Sequence, residues 1–368
     1  IIARRNGERR YNRIGPTMIQ GCYFMLALAV VLFTASQYFS PIILRDIIES
    51  PQVYDATADY LHWRTYGIFF SFLCVMFRAY YVGITQTKIL TINSVVVLNY
   101  CLIFGKGGFP VMGIAGAAIA SSVSEAVSLL FFIIYTGTTA DKRKYGFRRA
   151  FTFRPHLLKG MLSISGWTMV QSFISVSIWF IFFLAIEHLG ERPLAVTNIV
   201  RNISALLIMV ISAFATTAGA LISNQIGAGE QRYLFRTCGM TLNLTYAILV
   251  PLLVILCLFP EPVLRVFTDN PSLIAASINS VYVMSTSTLI MAPAFILFNA
   301  VSGTGNTKAG FIMEMISLTV YTAAVYYIVI RLKPDVALCW FSEHVYGIAL
   351  IALAWWYLKS GKWRGKKV

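Results

Sequence analysis

The sequence predicts an all-α integral membrane protein of about ten transmembrane helices, and three observations carry that prediction. Its 368 residues are 58% hydrophobic and only 12% charged, where a soluble domain holds roughly 25% charged residues to solvate its surface. Long apolar runs recur at bilayer-crossing length, since about 20 helical residues span roughly 30 Å of hydrocarbon. The Lys and Arg residues sit in short blocks between those runs. With that placement the formal net charge of +15 reads as membrane orientation rather than a phosphate-tracking face, and no nucleic-acid partner is expected.

Ten such runs follow one another along the chain. The first, 16–39, follows the basic segment Arg4–Arg13, and the second, 60–82, follows a loop carrying Asp46, Glu49, Asp55 and Asp59. A short run at 88–104 precedes 113–138, which opens on small residues. The basic connector Asp141–Phe153 leads to 160–187 and 194–224. Runs at 234–259 and 272–301 contain Pro251 and Pro293, and 309–330 and 337–358 complete the set before a basic tail. If these ten alternate from a cytoplasmic start, the inner loops hold 21 Lys and Arg and the outer loops 6. Short loops obey a positive-inside bias, so the protein is expected in the plasma (inner, cytoplasmic) membrane with both ends of this chain cytoplasmic.

The six cysteines lie singly in or beside apolar runs and the four histidines are scattered. Neither set has metal-ligand spacing, so free thiols and no metal site are expected.

A shift of 222 residues brings Gly7-Glu8 onto Gly229-Glu230, Arg10-Tyr11 onto Arg232-Tyr233, Gly83 onto Gly305 and Thr85 onto Thr307. Both copies run in the same direction, as in a parallel duplication related by an axis along the membrane normal. The second copy opens near Arg154, and its counterpart falls about two spans before Ile1. A 6+6 helix protein is therefore expected, with the first two helices outside this chain. The division is an N-terminal lobe at 1–140, a connector at 141–153 and a C-terminal lobe at 154–368.

Three stretches carry a family resemblance. They are Leu98-Asn99-Tyr100 through Gly113–Ala120, Ile226-Gly227-Ala228-Gly229-Glu230, and Asn299 with Gly303-Thr304-Gly305-Asn306-Thr307-Lys308. Their order and spacing, with the duplication, resemble the multidrug and toxic compound extrusion (MATE) transporters. The resemblance implies a two-lobe secondary antiporter that exports cationic or amphipathic organic compounds in exchange for H⁺ or Na⁺ by alternating access. It also implies a functional monomer in a lipid bilayer, with no cofactor beyond the coupling ion and no enzymatic activity.

An ionisable group inside a span costs about 2.5–3.5 kcal/mol on insertion scales, so it has a task or a partner. Glu125, near the middle of its span, is a coupling-ion candidate; the alternative is a neutral Glu bonded to a neighbouring helix. Glu314 and Glu343 lie nearer span ends, where water or head groups reach them. The family's acid on the seventh helix aligns with Val176 and that on the tenth with Met291, so the cation site of the C-terminal lobe is expected to be absent. The acid on the fifth helix aligns with Asn99, which can coordinate a cation but not titrate. Substrate-cavity candidates are Tyr66, Asn93, Gln171, Ser175, Asn198, Asn202 and Arg201, small polar or aromatic groups of the kind that line ligand cavities. Each serves equally as a helix–helix contact. Pro293 is the hinge candidate.

A flippase for lipid-linked saccharides is the alternative within the same superfamily, but the mid-membrane residues are mostly neutral where phosphates would require charge. An integral membrane enzyme would need clustered acids, histidines or a nucleophile–base pair, and a channel a repeated filter loop. The sequence contains neither.

Overall fold

The computed structural model describes residues 1–47, 51–87, 113–147 and 150–364. Among them the secondary structure is helical throughout. In chain order the helices are α1 (Ile2–Gly7), α2 (Ile14–Ile47), α3 (Pro51–Gly83), α4 (Gly113–Thr139), α5 (Pro155–Glu187) and α6 (Glu191–Gly227). There follow α7 (Leu234–Leu258), α8 (Pro260–Leu264), α9 (Pro271–Gly303), α10 (Thr307–Val325), α11 (Val336–Cys339) and α12 (Phe341–Ser360). Among the described residues nine helical stretches are long and apolar enough to cross a membrane. They coincide with nine of the ten expected spans; the remaining run, 88–104, lies outside the described residues. Large apolar side chains point outward along these stretches, as with Phe173, Phe180 and Met209, which suits a lipid surround.

The chain divides into two compact units, Ile2–Gly160 and Met161–Val368, with Ile1 grouped with the second. In the first unit α2, α3 and α4 enclose a core of Ile14, Met18, Tyr80, Tyr81, Leu129 and Phe132. Phe77 stacks on Phe132 at 5.7 Å between ring centroids. The segment after α4 is fastened along the start of α2. The Gln20 side chain donates to Thr152 O at 2.9 Å and accepts from Arg154 N at 3.0 Å, and Tyr23 donates to Phe151 O at 2.8 Å. Gly15 N donates to Tyr145 O at 2.9 Å. Gly146 adopts φ 70° against the Asn12 carbonyl, where a Cβ would overlap it.

In the second unit α6 and α9 cross with their backbones in contact. A Cβ on Gly303 would lie 2.5 Å from Gly219 O, and one on Gly219 2.9 Å from Asn299 O. Small residues permit such approach in lipid, where packing rather than water expulsion drives association. Gly303→Ala should therefore force the two helices apart and cost about 1–3 kcal/mol, read as a lower thermal midpoint of the purified protein. An unchanged midpoint would mean that the crossing is looser than described.

The structure also corrects the register of the duplication, from 222 residues to 220. That shift carries α3, Pro51–Gly83, onto α9, Pro271–Gly303, and the starts of α2 and of the short 3₁₀ turn before it, Ile14 and Tyr11, onto Leu234 and Gln231. It pairs the positive-φ residues Arg9 and Thr85 (57° and 59°) with Gly229 and Gly305 (80° and 87°). It also pairs a side-chain contact, since Arg5 donates to Thr17 and Gln225 bonds Thr237. Sequence identities favour 222 because identical Gly and Thr residues lie two positions off the repeated backbone turn.

Candidate functional site

The second unit contains a pair of carboxyl groups held by two helices. Glu314 on α10 accepts from Ser175 Oγ of α5 and from Tyr346 OH of α12, both at 2.8 Å and both at Oε1. Glu343 on α12 accepts from Tyr321 OH of α10 at 2.9 Å. Each helix thus supplies a Glu to the other's Tyr, and the two Tyr rings meet edge to face at 5.9 Å. Glu314 is 3% exposed and its Oε2 is buried without a hydrogen-bond partner. The expectation that water or head groups reach it therefore does not hold; α5, α10 and α12 close over it. No salt bridge reaches either Glu among the described residues.

Two cavities open beside this pair. One, of about 360 Å³, is lined by Ser175, Val176, Met291, Tyr321, Glu343 and Tyr346, with Trp179 and Phe295. The other, of about 350 Å³, includes Arg201, Ser204, Ser287 and Thr288. They share Trp179, Ile208, Met291 and Glu343. Arg201 lies over the Phe183 and Trp179 rings at 5.0 and 6.0 Å, a cation–π arrangement that fixes its head group.

Of the sequence candidates, Ser175 and Arg201 therefore line these cavities. Gln171 is buried, Asn198 half-buried and Asn202 exposed, and none of the three lines either cavity. Asn93 and Asn99 lie outside the described residues. Pro293 sits inside α9, which continues through it as one helix. Its missing N–H leaves the carbonyl of Leu289 without its helical donor, and the Tyr246 hydroxyl of α7 donates there at 2.8 Å.

In the first unit Glu125 has both oxygens engaged. Arg64 of α3 donates Nη1 to Oε2 at 3.0 Å and Nη2 to Oε1 at 2.9 Å, the bidentate fork that suits guanidinium and carboxylate. Gly67 makes room for it, because a Cβ there would meet the guanidinium and lie 2.8 Å from Glu125 Oε2. Tyr66, 43% exposed, belongs to a ring cluster with Phe33, His62 and Trp63 beside this pair.

The partner Arg64 was missed by sequence reasoning, although its cost inside a span is a signal that it needs an acid. The Glu–Tyr exchange was also missed. Its trace is the spacing Glu314–Tyr321 and Glu343–Tyr346, one face on each of two helices.

Comparison with known proteins places the chain in a family. The MatE family model matches residues 1–105 and 168–328. A probable multidrug resistance protein NorM of Thermotoga maritima is 26% identical over 283 residues, 74% of this chain and 58% of that protein. Its counterpart in Aromatoleum aromaticum is 27% identical over 292 residues, 76% of this chain and 62% of that protein. The chain thus spans about three fifths of the length of these curated relatives. The solved structure of a MOP superfamily transporter from Pyrococcus furiosus aligns with a TM-score of 0.88 at 17% identity, over 98% of this chain and 82% of that one. At that identity the likeness establishes the fold. With nearly three quarters of its length matched by the family model, the chain belongs to the MatE family.

Proposed function

We propose that the protein exports cationic or amphipathic organic compounds in exchange for protons, and that Glu343 and Glu314 carry the exchange. One observation supports this reading above the others. Val176 and Met291, the positions where the resemblance expects acids, line the same cavity as Glu343. The carboxyl group is supplied to that cavity from α12, with Glu314 of α10 behind Ser175 and Tyr346. The cation site expected to be absent from this lobe is, on this reading, built from other helices.

The chemistry follows from the surroundings. A bare carboxylate among apolar side chains is costly, and a proton is the smallest cation that neutralises it. Ser175 and Tyr346 both point hydrogens at one oxygen of Glu314, which leaves Oε2 to hold the proton. Sodium would require several oxygen atoms converging on one point, and Glu314 Oε2 has no hydrogen-bond partner among the described residues. An organic cation entering the cavity meets the Glu343 carboxylate and the face of Trp179, which attract it together. Proton and substrate then compete for the same charge, and that competition is the basis of exchange. Glu125 is not assigned this part, because Arg64 already occupies both its oxygens.

The test is efflux of a fluorescent organic cation from proteoliposomes under separately imposed H⁺ and Na⁺ gradients. The proposal expects a proton gradient of two pH units to accelerate efflux at least tenfold, about 2.7 kcal/mol of driving force, with little effect of Na⁺. Acceleration by Na⁺ alone, or by neither ion, would overturn it.

A further inference from the structure

The first unit carries a basin and a groove that the transport reading does not use. The basin, of about 810 Å³, is bordered by Arg13, Lys142, Arg143, Arg154 and His156. These come from the turn before α2, the segment after α4 and the first turn of α5, so three membrane-crossing helices begin or end around it. No acid lines it. The nearby Asp141 is turned onto its own segment, accepting from Arg143 N and Lys144 N at 3.0 Å each. Those bonds, with that from Lys144 the larger, hold its carboxyl below the usual range.

The groove, of about 560 Å³, adjoins the basin at Lys142, which borders both. It is lined by Met18, Ile19, Phe77, Ile133, Phe147 and Phe151, with Gly137 at its wall. Basic residues at one end and an open apolar channel along the helices at the other match an amphiphile. The hydrogen bonds that fasten the segment along α2 make both features parts of one built surface.

We propose that this surface binds one anionic phospholipid, with the phosphate in the basin and an acyl chain in the groove. Charged hydrogen bonds from Lys142 and Arg143 hold the phosphodiester. Gly137 leaves the channel open, since among the described residues nothing beyond its own stretch of α4 lies within 4 Å of the position its Cβ would take. Leucine there fills the groove without straining α4.

Native mass spectrometry of the purified full chain tests this with dioleoylphosphatidylglycerol, dioleoylphosphatidylcholine and glycerol phosphate. The expected result is one phosphatidylglycerol bound at least tenfold more tightly than phosphatidylcholine, and about tenfold weaker binding for each of K142Q and R143Q. Gly137→Leu should weaken phosphatidylglycerol at least fivefold and leave glycerol phosphate unchanged. Retention of the wild-type elution volume and helical circular dichroism shows that each variant is folded. Equal binding of the two lipids, or unaltered phosphatidylglycerol binding by K142Q/R143Q, would overturn the proposal. Glycerol phosphate binding as tightly as the lipid would assign the basin to a soluble phosphate and overturn the acyl-chain site.

Discussion

Arg64→Leu should destabilise the first unit by about 2.5–3.5 kcal/mol, because it leaves Glu125 charged and unpaired inside a span. The pair is bidentate, and its side chains retain 33% and 24% exposure, so the loss falls short of that for a fully buried pair. The double variant Arg64→Leu/Glu125→Leu should recover most of it, since removing both charges leaves nothing to compensate. Arg64→Lys should recover only part, because an ammonium cannot make the two-point fork. A double-mutant cycle by thermal or denaturant unfolding measures this coupling. Additive effects of the two single leucine variants would mean that the two side chains are not coupled.

Glu343→Gln should abolish proton-driven export while leaving the fold intact. Glutamine keeps an oxygen to accept from Tyr321, so the contact between α10 and α12 survives, but it neither carries a proton nor presents charge to the cavity. Affinity for an organic cation should fall at least tenfold, which corresponds to 1.4 kcal/mol. Movement down the substrate's own gradient should persist at a reduced rate. Glu314→Gln should behave differently. Its oxygen can still accept from Ser175 and Tyr346, but its amide would put two hydrogens without an acceptor where the protonated carboxyl puts one. That costs about 1–3 kcal/mol of stability, in addition to the lost coupling. Wild-type proton-driven rates in Glu343→Gln would exclude this residue from the exchange.

The fold was legible in the sequence wherever burial in lipid imposes a simple rule. Apolar runs marked the nine described crossings, because a backbone in hydrocarbon must satisfy its own hydrogen bonds. The duplication was legible too, but its register was not. Identities such as Gly83 with Gly305 favoured 222, whereas the backbone repeats at 220, with Arg9 and Thr85 holding positive φ where the second copy has glycine. Conformation is conserved there in spite of the residues, and identity matching cannot see that.

The site was legible only in part. Ser175 and Arg201 stood out as polar groups in spans, and both line the cavities. Glu314 was placed near water from its position along the chain, yet it is buried because α5 and α12 pack over it. Its two hydroxyl partners lie 139 and 32 residues away, distances over which helical periodicity says nothing. Arg64 and Glu125 were each visible as costly charges, and their pairing needed only that two such costs be set against one another.

The proposed exchange couples protons to substrate through the carboxyl pair of the second unit. Proton flux answers it most directly. Vesicles containing the protein and an entrapped pH-sensitive dye receive an organic cation with no imposed pH or Na⁺ gradient. Wild-type protein should move protons opposite to the substrate, and Glu314→Gln/Glu343→Gln should move substrate with no proton flux above empty vesicles. Proton flux at the wild-type ratio to substrate in that double variant would contradict the account.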